Sequence, residues 1–417
     1  MCMKYFLVAL IFWALSEGSP VSGATHPPAG TAAAGAPIRV GAARMDEYLP
    51  LLRGKRVAIL TNQTAVVGDT HLVDTLLSRG VHIVRIFGPE HGFRGDADAG
   101  ATVNSAVDPK TGIPVVSLYG KHNTPTAAEL SDVDVMVYDI QDVGARFYTY
   151  ISSMQRFMEA AARNHKPIII LDRPDPNGDY VDGPVLEPAY HSGVGMQPIP
   201  IVYGMTIGEY ARMLIGQHWL SDSTLKPDLT VIRCANYTHD SLYTLPVRPS
   251  PNLPDMASVY LYPSLCLFEG TALSVGRGTP YPFQLFGHPS LPDSLYSFTP
   301  QAMPGATHPK LEGQRCYGFL VATDAARARR LAGRRIQLSW VREAYRLFPD
   351  KDKFFISYFN KLSGTATLQA QIRAGWSEAR IRESWQPALE RFRRIRRRYL
   401  LYPDFTTRTH PKPSSHA

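Results

Sequence analysis

The sequence predicts an α/β protein built around a parallel β-sheet, and three observations support that prediction. Short β-branched runs alternate with helix-length stretches between residues 56 and 171. This alternation is typical of parallel strands that are joined by crossover helices. Hydrophobic residues make up 44% of the chain, which is enough to form a full core. With 417 residues, the chain is long enough for two domains.

The predicted elements follow one another in a regular order. Strands are predicted over residues 56–62, 81–87, 115–119, 133–139, 168–171, 229–234 and 317–323. Helices are predicted over residues 70–79, 147–164, 206–217 and 378–400, the last of them long, basic and amphipathic. A shift toward Pro, Gly and Asp near residues 174–200 predicts a domain boundary. We therefore expect a parallel-sheet catalytic domain at residues 38–185 and an α+β domain at residues 186–417 that completes the cleft.

The first 24 residues are predicted to be a signal peptide. A short basic start precedes an apolar run over residues 5–15, which is too short to span a bilayer. Ser22 and Ala24 stand where a signal peptidase requires small residues. Residues 25–37 are predicted to be a Pro/Ala/Gly linker; the alternative for the N terminus is a buried helix or a membrane anchor. We expect an exported protein, periplasmic or secreted, without stable membrane insertion after cleavage.

Composition and missing motifs exclude several classes of function. The chain has a net charge of +8, and over residues 310–417 basic residues outnumber acidic ones more than two to one. We interpret this excess as a solvated helix face, because no nucleic-acid-binding motif accompanies it. No Gly-x-Gly-x-x-Gly or P-loop follows the first strand, so no nucleotide cofactor is expected. No Gly-x-Ser-x-Gly is present either, so an esterase or amidase lacks an evident nucleophile.

Polar residues collect where the predicted strands end, and open parallel sheets bind ligands at that edge. Glycoside hydrolysis needs one carboxylic acid to protonate the leaving oxygen and a second group that supplies the nucleophile or steers water. Amides and arginines bind the hydroxyl, acetamido and carboxylate groups of sugars. The candidates at these strand ends are Asn62, Glu90, His91, Arg94, Asp139, Gln141, Arg146, Tyr148, Asp172 and Arg173. An Asp at a strand end also serves as a helix cap or turn former, so that alternative stays open for Asp139.

Glu90 is the leading catalytic candidate. It lies between Gly-Pro and His-Gly in a stiff loop, where a Glu neither caps a helix nor favours a turn. His91 beside it is a catalytic partner, a metal ligand or a loop histidine. No metal is expected, because no His-Glu-x-x-His motif or Cys/His cluster accompanies it.

The second half of the chain contributes three further candidates. Asn252 lies in a Pro-rich loop, and Arg277 is flanked by two glycines that permit a close backbone approach to a ligand. Glu269 is either a second catalytic carboxylate or an ion-pair partner of Arg277. Asp139 is favoured over Glu269 as the second carboxylate, because the sheet fixes its geometry.

Several motifs together resemble the bacterial exo-β-N-acetylmuramidases of NamZ type, a family formerly described as a domain of unknown function. The resemblance covers roughly residues 40–404 in the expected order. The motifs are LTNQTAV (60–66), GPEHGFRG (88–95), YDIQDVGARFYTY (138–150), LDRPDPNGD (171–179), YGMTIGE (203–209), PSPNLP (249–254), FEGT (268–271), VGRGTPYPF (275–283) and SWQPALERFRRIRRRYLLY (384–402). Two segments depart from the family pattern: DPNG (175–178) and GHPS (287–290).

The resemblance implies an enzyme that removes terminal N-acetylmuramic acid from the non-reducing end of peptidoglycan fragments, with no cofactor. It also implies a Rossmann-like N-terminal domain, a smaller C-terminal domain and a site in the cleft between them. Its partners would be muropeptides or disaccharides, and the alternative is a non-catalytic periplasmic carbohydrate-binding protein. An arginine would recognise the lactyl carboxylate of muramic acid, and the candidates are Arg94, Arg146, Arg173 and Arg277.

Overall fold

The computed structural model describes residues 36–93 and 106–406. The chain from Pro37 onward forms one compact unit. The predicted signal peptide, nearly all of the predicted linker and Arg94 lie outside the described residues. In the two described ranges, no helix is both long enough and apolar enough to cross a membrane.

A central sheet, formed by seven of the strands, confirms the α/β prediction. The strands are β1 (Arg56–Thr61), β2 (Val66–Val67), β3 (Thr70–His71), β4 (His82–Gly88), β5 (Ala106–Val107), β6 (Pro114–Ser117), β7 (Val135–Asp139), β8 (Ile168–Leu171), β9 (Leu229–Ile232), β10 (Leu285–His288), β11 (Tyr296–Phe298) and β12 (Cys316–Leu320). The central sheet has the order β5-β6-β4-β1-β7-β8-β9. All its pairings are parallel except that of the edge strand β5 with β6.

Alternation of side chains along the strands builds a core on each face of the sheet. In β1, Ala58 and Leu60 pack into one hydrophobic cluster, and Val57 and Ile59 pack into another. β7 divides its residues in the same way, and all five are buried. Because both faces of these central strands are covered, their sequences are continuous apolar runs. That is the pattern from which the sequence predicted them.

Helices cover the sheet and build most of the C-terminal part. They are α1 (Met45–Leu52), α2 (Leu72–Ser78), α3 (Tyr150–Arg163), α4 (Ile207–Gly216), α5 (Met256–Leu265), α6 (Ala325–Ala332), α7 (Leu338–Leu347), α8 (Lys351–Phe354), α9 (Tyr358–Ser363), α10 (Thr367–Arg373) and α11 (Glu378–Arg396). A small antiparallel sheet of order β10-β12-β11 accompanies the C-terminal helices. The four predicted helices correspond to α2, α3, α4 and α11.

The parallel sheet extends beyond the predicted domain boundary at residues 185/186. Its last strand, β9, pairs with β8 along its whole length, from Ile168 opposite Leu229 to Leu171 opposite Ile232. One hydrophobic cluster also includes residues from both sides of that boundary. The Pro- and Gly-rich composition near residues 174–200 therefore marks a long connection within the sheet.

A buried carboxyl group behind the strand ends leads to a prediction about pH. Asp142 is buried, and burial raises its pKa to about 6, although hydrogen bonds from Tyr203 and Gly144 oppose the shift. Because the folded state then holds a proton that the unfolded state has lost, stability falls as pH rises from about 4 to about 6. Asp142→Asn removes this loss, so the variant should gain about 3 kcal/mol relative to wild type across that window.

Urea unfolding at a series of pH values measures this effect, with the exposed Asp293→Asn as the matched control. The control should follow the wild-type pH profile. Parallel profiles for wild type and Asp142→Asn would contradict the prediction.

Candidate active site

A cavity of about 640 Å³ opens beyond the carboxyl ends of β4 and β6, where the sequence predicted a site. One wall comes from the loops after these strands and from the start of α3. The rest of the lining comes mostly from residue 250 onward, in the C-terminal half of the chain. Six of the sequence-predicted site residues line it, namely Glu90, His91, Tyr148, Asn252, Glu269 and Arg277.

A tight turn after β4 presents Glu90 to the cavity. The amide of Gly92 donates to the carbonyl of Pro89 at 2.9 Å, which closes the turn. His91 has a φ of 69°, in the left-handed region that a residue with a β-carbon rarely adopts. Its ring is buried, with Nε2 3.5 Å from the hydroxyl of Ser250, which also lines the cavity. The surrounding packing therefore holds an unfavourable backbone conformation at the residue next to the candidate acid.

Hydroxyl groups surround the carboxyl of Glu90. Thr149, immediately before α3, donates from Oγ1 to Glu90 Oε2 at 2.9 Å. The phenol of Tyr119 also donates to Glu90, and burial together with the charge of Glu90 raises the pKa of Tyr119 to about 12. Tyr150 donates to the Glu90 carbonyl at 3.5 Å. These contacts fix the carboxyl at the cavity wall and involve neutral donors that keep their protons.

Glu269 supplies a second carboxylate to the cavity from the C-terminal half of the chain. Arg277 donates to Glu269 Oε1 from both Nε and Nη2 at 2.8 Å, so the two residues form an ion pair. The thiol of Cys266 donates to Glu269 Oε2 at 3.4 Å. The Arg277 guanidinium also lies 5.0 Å from the centre of the Phe283 ring. Glu269 is therefore an ion-pair partner of Arg277 that also lines the cavity, and its role as a catalytic carboxylate stays a prediction.

Asp139 does not line the described cavity wall, although it ends a neighbouring strand. It is fully buried and accepts a bidentate pair of hydrogen bonds from Arg173, with Nη2 at 2.8 Å. Arg173 also donates to the carbonyl of Val66 at 3.2 Å. The predicted position of Asp139 at the ligand crevice is therefore wrong, and Glu269 is the carboxylate that shares the described wall with Glu90. The reason is that the arginine at the end of the adjacent strand β8 occupies both oxygens of Asp139.

Arg146 likewise belongs to the framework, by which we mean buried polar side chains that hold the fold together and do not line the cavity. It is fully buried, and its guanidinium donates to the carbonyls of Pro184, Ile199 and Leu362 at 2.7–3.0 Å. Three separate segments are thereby tied together behind the cavity. A substrate carboxylate has no access to this group.

The remaining predicted binding residues divide between framework and cavity. Asp172 accepts hydrogen bonds from the hydroxyls of Thr206 and Tyr402 and from the amide of Gly208. The framework positions, all buried and away from the described wall, are Asn62, Gln141, Arg146, Asp172 and Arg173. Neither segment that departs from the family pattern, 175–178 or 287–290, contributes to this wall.

Several cavity residues escaped the sequence reasoning. Thr149, Ser153 and Arg156 line the wall from α3, and their spacing of four and three places them on one helix face. That spacing is a signal the sequence contains, although a polar face on a helix ordinarily indicates contact with solvent. The other missed wall residues with polar side chains are Tyr119, Asn123, Tyr150, Ser250, Tyr262, Ser274, Lys310 and Tyr358.

The cavity is suited to sugar chemistry. Two carboxyl groups line it, as glycoside hydrolysis requires, and its aromatic rings, amides and hydroxyls can contact a pyranose. In the described ranges, no group of three or more His, Cys, Asp or Glu side chains could hold a metal ion.

Two family models match the chain. The exo-beta-N-acetylmuramidase NamZ N-terminal model matches residues 57–257, and the C-terminal model of the same family matches residues 260–402. The chain is also similar to the peptidoglycan beta-N-acetylmuramidase NamZ of Bacillus subtilis (strain 168). The two are 39% identical over 380 residues, which cover 86% of this chain and 89% of the relative.

Solved structures agree with these matches. A DUF1343 family protein from Bacteroides fragilis NCTC 9343 has a TM-score of 0.81 and 45% identity, covering 88% of this chain and all of that one. A second DUF1343 family protein from the same organism has a TM-score of 0.73 and 32% identity, covering 88% and 99%. Two consecutive family models, a relative aligned over most of its length and shared folds all agree with the motifs. The chain belongs to the exo-beta-N-acetylmuramidase NamZ family.

Proposed function

We propose that this protein is an exo-acting glycoside hydrolase that releases terminal N-acetylmuramic acid from the non-reducing end of peptidoglycan fragments. Family membership and the printed activity of the Bacillus subtilis relative support the substrate class. The observation that carries the proposal is that Glu90 and Glu269, from two distant segments of the chain, line the same cavity. A carbohydrate-binding protein has no need for that pair.

Glu90 acts as the general acid. Its carboxyl proton passes to the glycosidic oxygen as the bond from that oxygen to the anomeric carbon breaks, and the bonding electrons leave with the oxygen. A water molecule from the solvent supplies the oxygen that finally bonds to the anomeric carbon, and one of its protons restores the carboxyl of Glu90. Thr149 and Tyr119 orient the carboxyl through the hydrogen bonds described above. Because the tight turn fixes the backbone at His91, the acid is positioned before substrate arrives.

Glu269 balances the positive charge that develops on the anomeric carbon. Its ion pair with Arg277 holds the carboxylate in place, so little reorganisation is needed as the bond breaks. His91 and Tyr148 shape the floor beside Glu90, and Asn252 contributes from the Pro-rich loop. The backbone of that loop accepts a hydrogen bond from the Tyr148 hydroxyl at Pro249, 2.7 Å away.

Export completes the proposal. The basic start, the short apolar run and the small residues at Ser22 and Ala24 support cleavage after residue 24. Expressed with its own N terminus, the mature protein should begin at Thr25 outside the cytoplasm. Intact-mass measurement of the exported fraction tests this, and a full-length mass in that fraction would contradict it.

The activity itself is tested with a chromogenic N-acetylmuramic acid glycoside and the matching N-acetylglucosamine glycoside. The muramic acid glycoside should release chromophore, and a disaccharide with muramic acid at its non-reducing end should release the free sugar. No release from either muramic acid substrate would refute the proposed function.

The role of Glu269 gives a separate prediction. Glu269→Gln should lower kcat at least about 10²-fold, because the carboxylate that opposes the developing charge is lost. Added azide should restore part of the activity, since a small anion can occupy the vacated position. The matched comparison is Asp139→Asn, which lies off the described cavity wall and should not respond to azide. If azide restored activity to Asp139→Asn and not to Glu269→Gln, Asp139 would be the second carboxylate in place of Glu269.

A further inference from the structure

The cavity wall carries cationic side chains, and all but one are occupied by partners on the protein. In the described wall these cations are Arg156, Arg277 and Lys310. Arg277 pairs with Glu269 at 2.8 Å. Lys310 donates to the carbonyl of Thr271 at 2.7 Å and to that of Glu269 at 3.4 Å. Arg156 has no hydrogen bond or ion pair within the described ranges, so the N–H donors of its guanidinium are available to a ligand.

The acidic residue closest in sequence to Arg156 already accepts hydrogen bonds from other side chains. Glu159, three residues further along α3, attracts the Arg156 guanidinium but accepts hydrogen bonds from Gln155 and from Ser221. Burial, the larger effect, lowers the pKa of Arg156, although a guanidinium stays charged at neutral pH. A half-buried guanidinium without a paired anion has lost hydration that an incoming carboxylate would replace.

The position of Arg156 suits a group on the same sugar whose glycosidic bond Glu90 cleaves. Thr149, which holds the Glu90 carboxyl, precedes Arg156 by seven residues, or about 10 Å along the axis of α3. Ser153 lies between them on the same wall. Long side chains on a helix tend to lean toward its N terminus, the end at which Thr149 holds Glu90, and Arg156 and Glu90 both line the cavity. The acid and the guanidinium thus lie within reach of one substituted hexosamine.

We propose that Arg156 pairs with the lactyl carboxylate of the terminal muramic acid and thereby selects this sugar over N-acetylglucosamine. The inference rests on the proposed function, because it concerns the same cavity and substrate. A planar guanidinium binds a carboxylate through two parallel hydrogen bonds, which gives orientation as well as affinity. None of the four arginines predicted from the sequence is given this role: Arg146 and Arg173 belong to the framework, Arg277 pairs with Glu269, and Arg94 lies outside the described residues.

Two muramic acid glycosides with the same leaving group test the proposal, one with the free lactyl carboxylate and one with its neutral carboxamide. Wild type should show a higher kcat/KM for the carboxylate glycoside. In Arg156→Gln, kcat/KM for the carboxylate glycoside should fall about 10- to 100-fold, while that for the carboxamide stays within a few-fold of wild type. Arg156→Lys keeps the positive charge but loses the planar pair of N–H donors. Its kcat/KM for the carboxylate glycoside should therefore lie between those of wild type and Arg156→Gln. Activity on the carboxamide also shows that each variant is folded.

Arg163→Gln is the matched control, since Arg163 lies on the same helix but is exposed and contacts Ser221 away from the cavity. It should keep the wild-type preference. Equal losses on both glycosides in Arg156→Gln, or an unchanged preference, would overturn the inference while leaving the proposed function intact. If Lys310→Gln lost the preference for the carboxylate glycoside and Arg156→Gln kept it, Lys310 would be the residue that pairs with the lactyl carboxylate. If wild type cleaves neither glycoside, the proposed function itself fails and the inference fails with it.

Discussion

Glu90→Gln is expected to lower kcat about 10²–10⁴-fold on a disaccharide with N-acetylmuramic acid at its non-reducing end. The amide keeps the size of the side chain and can still accept from Thr149 and Tyr119, so the fold should be preserved. It has no acidic proton for the leaving oxygen. Steady-state release of the free sugar measures the effect, with a thermal melt as the check on folding.

The exposed Glu312→Gln is the control for this prediction, because it makes the same chemical change away from the cavity. It should retain wild-type kcat. Activity of Glu90→Gln within a few-fold of wild type would remove Glu90 from the mechanism.

Asp139→Ala should have the largest effect on stability, lowering the free energy of unfolding by about 3–5 kcal/mol. The substitution leaves the Arg173 guanidinium buried without its carboxylate, since both side chains of the pair are at most 1% exposed. Urea unfolding measures the loss. The double variant Asp139→Leu with Arg173→Met should recover much of it, because neither charge is then buried.

An exposed ion pair at the other end of β7 provides the control. Asp134 pairs with Arg56 at 2.8 Å, but both side chains are about one-third exposed or more. Asp134→Ala should therefore have little effect on stability. Equal losses in Asp134→Ala and Asp139→Ala would show that the burial of the second pair has no energetic consequence.

The parallel strands of the central sheet were predictable because the strongest signal in this sequence is the burial of apolar side chains, whereas the short strands β2, β3, β5, β10 and β11 were not predicted. β8 was predicted at its observed bounds, Ile168–Leu171, since a run buried on both faces must be continuously apolar. Glu90 was predictable for a related reason. It follows a buried strand in a stiff loop, and a carboxyl in that position has few structural uses.

The same reasoning placed Asp139 in the site, and here it was misleading. Asp139 ends β7 as Glu90 follows β4, so sequence position alone does not distinguish them. The difference comes from Arg173, which is 34 residues further along the chain but ends the adjacent strand and takes both carboxylate oxygens. Pairing between neighbouring strands is a tertiary property that local sequence does not contain.

Arg156 was missed for the opposite reason. It lies in the middle of α3, where a charged residue is expected to face solvent. Only the packing of the C-terminal half of the chain opposite α3 converts that helix face into a cavity wall. The second wall likewise depends on α5 and the Glu269 segment after it, neither of which the strand pattern predicted.

The general-acid role of Glu90 is the central claim, and a comparison of leaving groups in Glu90→Gln tests it most directly. A general acid matters most when the departing oxygen is a poor leaving group, as in a sugar–sugar bond, and little when it is a strongly activated phenol. We predict that the kcat of Glu90→Gln relative to wild type falls far more on the disaccharide than on an activated aryl N-acetylmuramic acid glycoside. Equal losses on the two substrates would contradict the account.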